Sequence, residues 1–262
     1  MPDQRSYVLS IAGFDPSGGA GVLADVKTFE QCDVYGMGVV SALTFQNDIF
    51  FEKVEWLSID QIIGQIEVLK KRNQFEFIKI GLIENLEVLY HLIKYLKSAP
   101  SSGLTPPRLI WDPILKASAG FEFHPELDQE LLENICSELY LVTPNVPEAE
   151  QLAVSVHAEK NAEYLSRFCN VFLKGGHNAE KKGQDTLFIK NGKQILFEAK
   201  IINTFSKHGS GCVLSSAITA SLAKGYGLEE ACAEAKEYVT GFLMSNDTLL
   251  GYHSDLKKIG HE

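Results

Sequence analysis

Short apolar, β-branched runs recur along the chain at residues 7–11, 39–43, 77–80, 109–111, 139–142 and 171–173. Most are separated by roughly 30 residues, the length of a βαβ unit, so the pattern predicts a mainly parallel sheet. Between them the period changes. Val22, Val26 and Phe29, then Ile59, Ile62, Ile63, Ile66 and Leu69, then Leu86, Leu89, Leu92, Ile93 and Leu96 repeat at helical spacing with one apolar face. Helices are therefore expected on both faces of the sheet. Residues 186–189 and 195–199 flank Lys190-Asn191-Gly192-Lys193, whose Asn-Gly pair favours a hairpin turn and predicts an antiparallel edge. Residues 210–224 and 228–244 read as two long helices. The one linker-like stretch, residues 98–107, lies between a helix and a strand and reads as a surface loop. With no internal repeat, the expectation is a single doubly wound α/β domain over 1–262.

Composition narrows the function. The 262 residues are 45% hydrophobic and 22% charged, a globular balance, and 34 Asp and Glu against 24 Lys and Arg leave a formal charge of -10. Such a surface offers no general attraction to nucleic acid or to an anionic membrane, yet local donors or a metal can still hold an anionic small molecule. The five cysteines, Cys32, Cys136, Cys169, Cys212 and Cys232, are odd in number and lack C-x-x-C spacing. That argues against a disulfide framework or zinc knuckle and suits a reducing cytoplasm. No apolar run has the length of a signal peptide core or a membrane span, so secretion and membrane insertion are not expected.

Candidate chemistry gathers at glycine-rich turns. Gly13-Phe14-Asp15-Pro16-Ser17-Gly18-Gly19-Ala20-Gly21 joins the first strand to a helix carrying Asp25. It could let the backbone approach a ligand, or be only a tight connection. It matches neither G-x-G-x-x-G nor a Walker loop. His208-Gly209-Ser210-Gly211-Cys212 opens a long helix, where backbone N–H groups make a ready anion site. Cys212 in that first turn is expected to have a lowered pKa; a structural cap with a buried cysteine is the alternative. His208 and Cys212 stand four apart, but no further paired ligands nearby support a metal there. Asn145 and Glu148 in Thr143-Pro144-Asn145-Val146-Pro147-Glu148 can serve Mg²⁺ and its waters, or cap the helix. Lys174-Gly175-Gly176-His177 adds a cation after another strand, and is by itself a common loop. These features fall at carboxyl ends of predicted parallel strands, where open α/β sheets bind ligands, and together they are the parts of phosphoryl transfer without a Walker loop.

The order of the motifs carries a resemblance. Ile11-Ala12-Gly13-Phe14-Asp15-Pro16-Ser17-Gly18-Gly19-Ala20-Gly21, Ala24-Asp25-Val26-Lys27-Thr28-Phe29, Ala42-Leu43-Thr44-Phe45-Gln46-Asn47, Lys79-Ile80-Gly81, Asp112-Pro113, the 143–150 and 174–177 segments and His208-Gly209-Ser210-Gly211-Cys212 resemble the hydroxymethylpyrimidine and phosphomethylpyrimidine kinases of thiamine synthesis. These belong to the ribokinase-like superfamily, whose sugar kinases mostly have Asp where Cys212 stands. The resemblance implies a central sheet covered by helices, ATP and Mg²⁺ as cosubstrates, and a homodimer. It implies that Gly13, Asp25 and Gln46 line the pyrimidine pocket and that Cys212 faces the hydroxymethyl group. Asp112, Asn145 and Glu148 would organise Mg²⁺ and phosphate, while Lys174 and the Gly209, Ser210, Gly211 nest would meet the ATP phosphates. The sequence departs from the family at Leu82-Ile83-Glu84, at residues 114–121, and at Ser206-Lys207, which replaces a small polar pair. These departures touch the pocket wall and the phosphate side. The same scaffold serves pyridoxine and pyridoxal kinases, with a pyridine alcohol in place of the pyrimidine, and a non-catalytic ligand-binding protein is a third reading.

Overall fold

The computed structural model describes residues 5–98, 105–115, 128–152, 155, 157–176, 183–199 and 204–254. His177 and residues 116–121 of the departure noted above lie outside them. In chain order the elements are β1 (Tyr7–Phe14), α1 (Gly21–Gln31), β2 (Tyr35–Gln46), β3 (Phe51–Trp56), α2 (Ile59–Lys70), β4 (Phe77–Ile80), α3 (Leu86–Lys97), β5 (Arg108–Trp111) and α4 (Gln129–Glu138). They continue with β6 (Leu141–Val142), α5 (Val146–Gln151), α6 (Ala158–Leu165), β7 (Asn170–Leu173), β8 (Asp185–Phe188), β9 (Gln194–Phe197), α7 (Ser210–Ala223) and α8 (Leu228–Met244).

The strands form one sheet in the order β3-β2-β1-β4-β5-β6-β7-β8-β9. From β2 to β7 the pairing is parallel. The expected hairpin is present as antiparallel β8 and β9, and its Asn191 takes φ 50, as an Asn-Gly turn requires. A second antiparallel edge, β3 against β2, was not expected. Its Phe-Glu-Lys-Val-Glu-Trp sequence carries charges on a mostly solvent-facing edge, so no apolar run betrays it.

Alternate residues of the central strands enter two separate cores, which is why these strands read as continuous apolar runs. Leu9, Ile11, Ile78, Ile80 and Leu109 pack under α2 to α6, while Phe77, Ile110, Leu141 and Phe172 pack under α7 and α8. The first turns of several helices are fixed by side chains. Ser58 and Gln61 form a capping box on α2, Asn85 caps α3, and Asp128 caps α4. Helix α7 is buried almost all round, and its Ser, Thr and Ala residues let it lie close to the sheet between α1 and α8. Among the described residues no helix is long and apolar enough to cross a membrane.

Candidate active site

The parallel strands end at a cleft of about 800 Å³. Gly13 of β1, Gln46 of β2, Asp112 after β5, Asn145 after β6, Lys174 after β7 and the start of α7 all line it. This is the crevice at strand carboxyl ends that the topology requires. Glu148, Gly209, Ser210, Gly211 and Cys212 also line it. Asp25 does not. Its side chain is wholly buried below the cleft, where it accepts from Lys79 Nζ at 2.9 and 2.8 Å, from Ser10 Oγ at 2.5 Å and from Ser216 Oγ at 2.7 Å. The expectation that Asp25 meets a ring is therefore corrected: a carboxylate with three donors ties α1 to β1, β4 and α7.

At the centre, Lys174 Nζ donates to Asp112 Oδ1 at 2.7 Å and stands 3.7 Å from Glu148 Oε2. Thr143 Oγ1 and Ser215 Oγ donate to the two Asp112 oxygens at 3.0 and 3.1 Å. Burial acts to raise the Asp112 carboxyl, but Lys174 and Lys79 outweigh it and hold the group below the usual range. Burial pushes Glu148 up to about 7; Lys174 opposes this and Asp112 adds to it. Burial would lower the Lys174 ammonium, but Asp112 and Glu148 raise it, so it is charged at neutral pH.

Asn145 and Glu148 form a reciprocal capping box on α5, with Asn145 Oδ1 accepting from Glu148 N and Glu148 Oε2 from Asn145 N, both at 2.8 Å. The cap, one of the two roles posed on the sequence, is present, and it fixes the Glu148 carboxylate beside Lys174. No group of three or more His, Cys, Asp or Glu residues suited to a metal occurs among the described residues. Two carboxylates at a cleft suit Mg²⁺, which keeps several waters and is commonly completed by substrate phosphates.

The two glycine-rich turns meet. Gly209 has φ 72, and a Cβ there would lie 2.0 Å from Gly19 O, so only glycine opens α7 at this distance. A Cβ on Gly211 would approach Lys174 Nζ to 3.2 Å, which places the ammonium beside the helix start. Asp15 fastens the turns together: its carboxylate accepts from Ser17 N, Ala20 N and His208 Nε2, the last at 2.8 Å. Asp15 is held below the usual range, since bonds from His208 and Ser17 outweigh the effect of burial. A carboxylate only accepts, so the His208 proton sits on Nε2.

Cys212 reverses an expectation. Burial pushes its thiol up to about 12, with Asp112 and Asp25 adding to the rise, while Lys79 and a backbone bond to Gly21 oppose it. The helix start faces the cleft, but Cys212 itself is only 6% exposed and feels both Asp112 and Asp25, so a thiolate is not favoured there.

At the far wall Gln46 Nε2 donates to Thr44 Oγ1 at 2.9 Å, and Thr44 Oγ1 donates to Phe14 O. The Gln46 carbonyl oxygen has no hydrogen bond among the described residues and sits in the cleft with apolar Leu82 and Phe51. At the opposite end Asp185 accepts from Gly175 N at 2.7 Å and from Lys236 Nζ at 2.5 Å. Ser215, Asp185 and Lys236 were not singled out from the sequence, and Lys79 and Thr143 stood in motifs without a role of their own. Lys79 left one signal, a lone charge inside the apolar Phe77–Ile80 run.

Comparison with known proteins gives a consistent set. The family model for phosphomethylpyrimidine kinase matches residues 15–256. Proteins named hydroxymethylpyrimidine/phosphomethylpyrimidine kinase are similar throughout. That of Haemophilus influenzae is 32% identical over 247 residues, 89% of each chain. That of Escherichia coli is 31% identical over 255 residues, 94% of each. Among solved structures, an ADP complex of Bacillus subtilis pyridoxal kinase superposes with a TM-score of 0.80 at 28% identity, covering 97% of this chain and 99% of that one. Phosphomethylpyrimidine kinase from Clostridium difficile gives 0.74 at 31% identity, covering 90% and 98%. Pyridoxal kinase from Staphylococcus aureus with AMP-PCP and pyridoxal gives 0.75 at 25%, covering 94% and 92%.

Proposed function

Because the chain belongs to the phosphomethylpyrimidine kinase family, a family of alcohol phosphotransferases, we propose that it transfers the γ-phosphoryl group of ATP to 4-amino-5-hydroxymethyl-2-methylpyrimidine, and then to the resulting monophosphate, in thiamine biosynthesis. One observation carries the reading. A single cleft brings the Asp112, Lys174 and Glu148 cluster and the open start of α7 together with a polar ring-reading wall at Gln46 and Thr44.

In this proposal Asp112 and Glu148 hold Mg²⁺, which when bound neutralises charge on the triphosphate. Lys174 and the N–H groups of Gly209, Ser210 and Gly211 face the phosphates, where fixed donors stabilise the charge spread over the transferring group. Asn145 holds Glu148 in orientation through the capping box. Gln46 offers a donor and an acceptor to the aminopyrimidine edge. Cys212, protonated in the free enzyme, orients the hydroxymethyl oxygen; a loose phosphoryl-transfer transition state asks little of a base, so the alcohol proton leaves late, to the transferred phosphoryl group or to water. We place the enzyme in the cytoplasm as a homodimer, a compartment that suits five unpaired cysteines.

A pyridoxal kinase activity is the second reading, favoured by the similarity to the Bacillus subtilis enzyme. ADP release measured with hydroxymethylpyrimidine, its monophosphate, pyridoxine, pyridoxal and ribose separates the two. The proposal expects the pyrimidines to give the highest kcat/KM; pyridoxal exceeding both would overturn it, and no ADP release with any acceptor would point to a binding protein.

A further inference from the structure

Three lysines are buried among the described residues: Lys79, Lys174 and Lys207. The first two are paired with carboxylates, Lys79 with Asp25 and Lys174 with Asp112. Lys207 is different. It is 7% exposed and lines the cleft two residues ahead of Gly209. Its three N–H donors go to Asn246 O at 2.6 Å, Asn246 Oδ1 at 2.9 Å and Thr248 O at 2.6 Å, all neutral oxygens. Asp247, in the same turn, is close enough to be felt but makes no ion pair with it. The hydrogen bonds are satisfied; among the described residues no carboxylate forms an ion pair with the charge, and Nζ lies 5.4 Å from the Phe205 ring centroid.

A buried charge without a counter-ion is costly, and a neutral amide could supply donors for a purely structural clasp. Among the described residues that line the cleft, the other two lysines, Lys174 and Lys236, are committed to Asp112 and Asp185, in a protein of net charge -10. We propose that Lys207 is a specificity-determining residue that adds an uncompensated positive charge beside the α7 nest, so that the site discriminates nucleotides by the charge of their phosphate chain. It acts through its field, since its donors are occupied, and the clasp to residues 246–248 holds that field in place. This inference rests on the kinase reading and deepens it.

The test is equilibrium binding of adenosine, AMP, ADP and ATP, with Mg²⁺ present, to the full-length protein and its variants. In Lys207→Gln, which keeps donors for two of the three oxygens, ADP and ATP affinity should fall on the order of tenfold, the size expected for one unit charge in a partly screened cleft. Adenosine affinity should stay within about twofold. Lys207→Arg should keep the ratio of ADP to adenosine affinity. Asn246→Ala, which cuts the clasp and keeps the charge, should keep it as well. An equal loss for adenosine and ADP in Lys207→Gln would overturn the assignment, as would an unchanged ratio. If Lys207→Gln does not fold, collapse of the ratio in Lys207→Arg or Asn246→Ala overturns it. A wild-type protein that turns over ATP while failing these tests rejects Lys207 alone; one that binds no nucleotide rejects the kinase reading with it.

Discussion

Lys79 and Asp25 form an ion pair sealed from solvent beneath the cleft, with both side chains at 0% exposure and Lys79 Nζ 2.9 and 2.8 Å from the two carboxylate oxygens. The pair joins the central strand β4 to α1, and Ser10 and Ser216 complete the carboxylate's partners. Removing one partner strands a buried charge. Asp25→Asn and Lys79→Met should each lose about 3–5 kcal/mol in denaturant unfolding, whereas Asp25→Asn combined with Lys79→Met should lose less than the sum. Additive losses would show that the two charges are not coupled.

In the proposed function Gln46, which lines the cleft, reads the ring. Gln46→Leu removes a donor and an acceptor at similar volume, so kcat/KM for the pyrimidine should fall by the equivalent of about 1–3 kcal/mol. Thr44→Val should cost less in kcat/KM, because it keeps the Gln46 amide and removes its anchor at 2.9 Å together with the Thr44 bond to Phe14 O. A change within about twofold in Gln46→Leu would remove it from the substrate contacts.

Cys212 tests the difference between a reactive and a sealed thiol. With its pKa pushed to about 12, iodoacetamide should label it slowly at neutral pH and faster as pH rises, with substrate giving protection. Cys212→Ala should lower kcat by at most ~10²–10⁴-fold, the span of general-base catalysis, with ATP affinity little changed. Cys212→Ser should retain much of the activity. Unchanged kcat in Cys212→Ala would leave the residue a packing role alone.

Gly209 makes the nest possible. In Gly209→Ala the new Cβ collides with Gly19 O in a left-handed conformation that itself costs about 1–2 kcal/mol. Melting temperature should drop and KM for ATP should rise. A variant with wild-type values for both would show that the two turns can separate freely.

Acid stability should report His253. Burial and Lys27 push its imidazole down to about 4, from an ordinary 6.5. The folded protein then resists a proton that the unfolded chain accepts, so this contribution is full above 6.5 and is lost as pH falls toward 4. His253→Phe, against the Phe242 ring that now lies 4.9 Å from the imidazole, should flatten that part of the stability profile measured by urea unfolding. An unaltered slope would assign the acid sensitivity to other groups.

Much of the fold was legible because burial on two faces leaves continuous apolar strands and helices leave a 3.6-residue stripe. Residues 77–80 and the helices starting at Leu86 and Ser210 fall where the pattern puts them. Edge strand β3 escaped, since a charged, half-solvated edge carries no such signal. The site was legible wherever chemistry is written in local spacing: glycines before a helix, Asn three residues ahead of Glu, a lysine after a strand.

What the amino-acid order determined by itself is therefore the sheet-and-helix plan and the cluster of Gly13, Gln46, Asp112, Asn145, Glu148, Lys174 and Cys212 at one edge of it. Charge state and partnership were decided only in three dimensions. Asp25 became the anchor of Lys79, 54 residues away, and Asp15 that of His208, 193 residues away. Cys212 became a sealed thiol, and Lys207 a buried cation with no ion pair among the described residues. The reason is physical: a side chain's pKa and its hydrogen bonds depend on the dielectric and the charges within a few ångströms, and in a doubly wound sheet those neighbours come from distant parts of the chain.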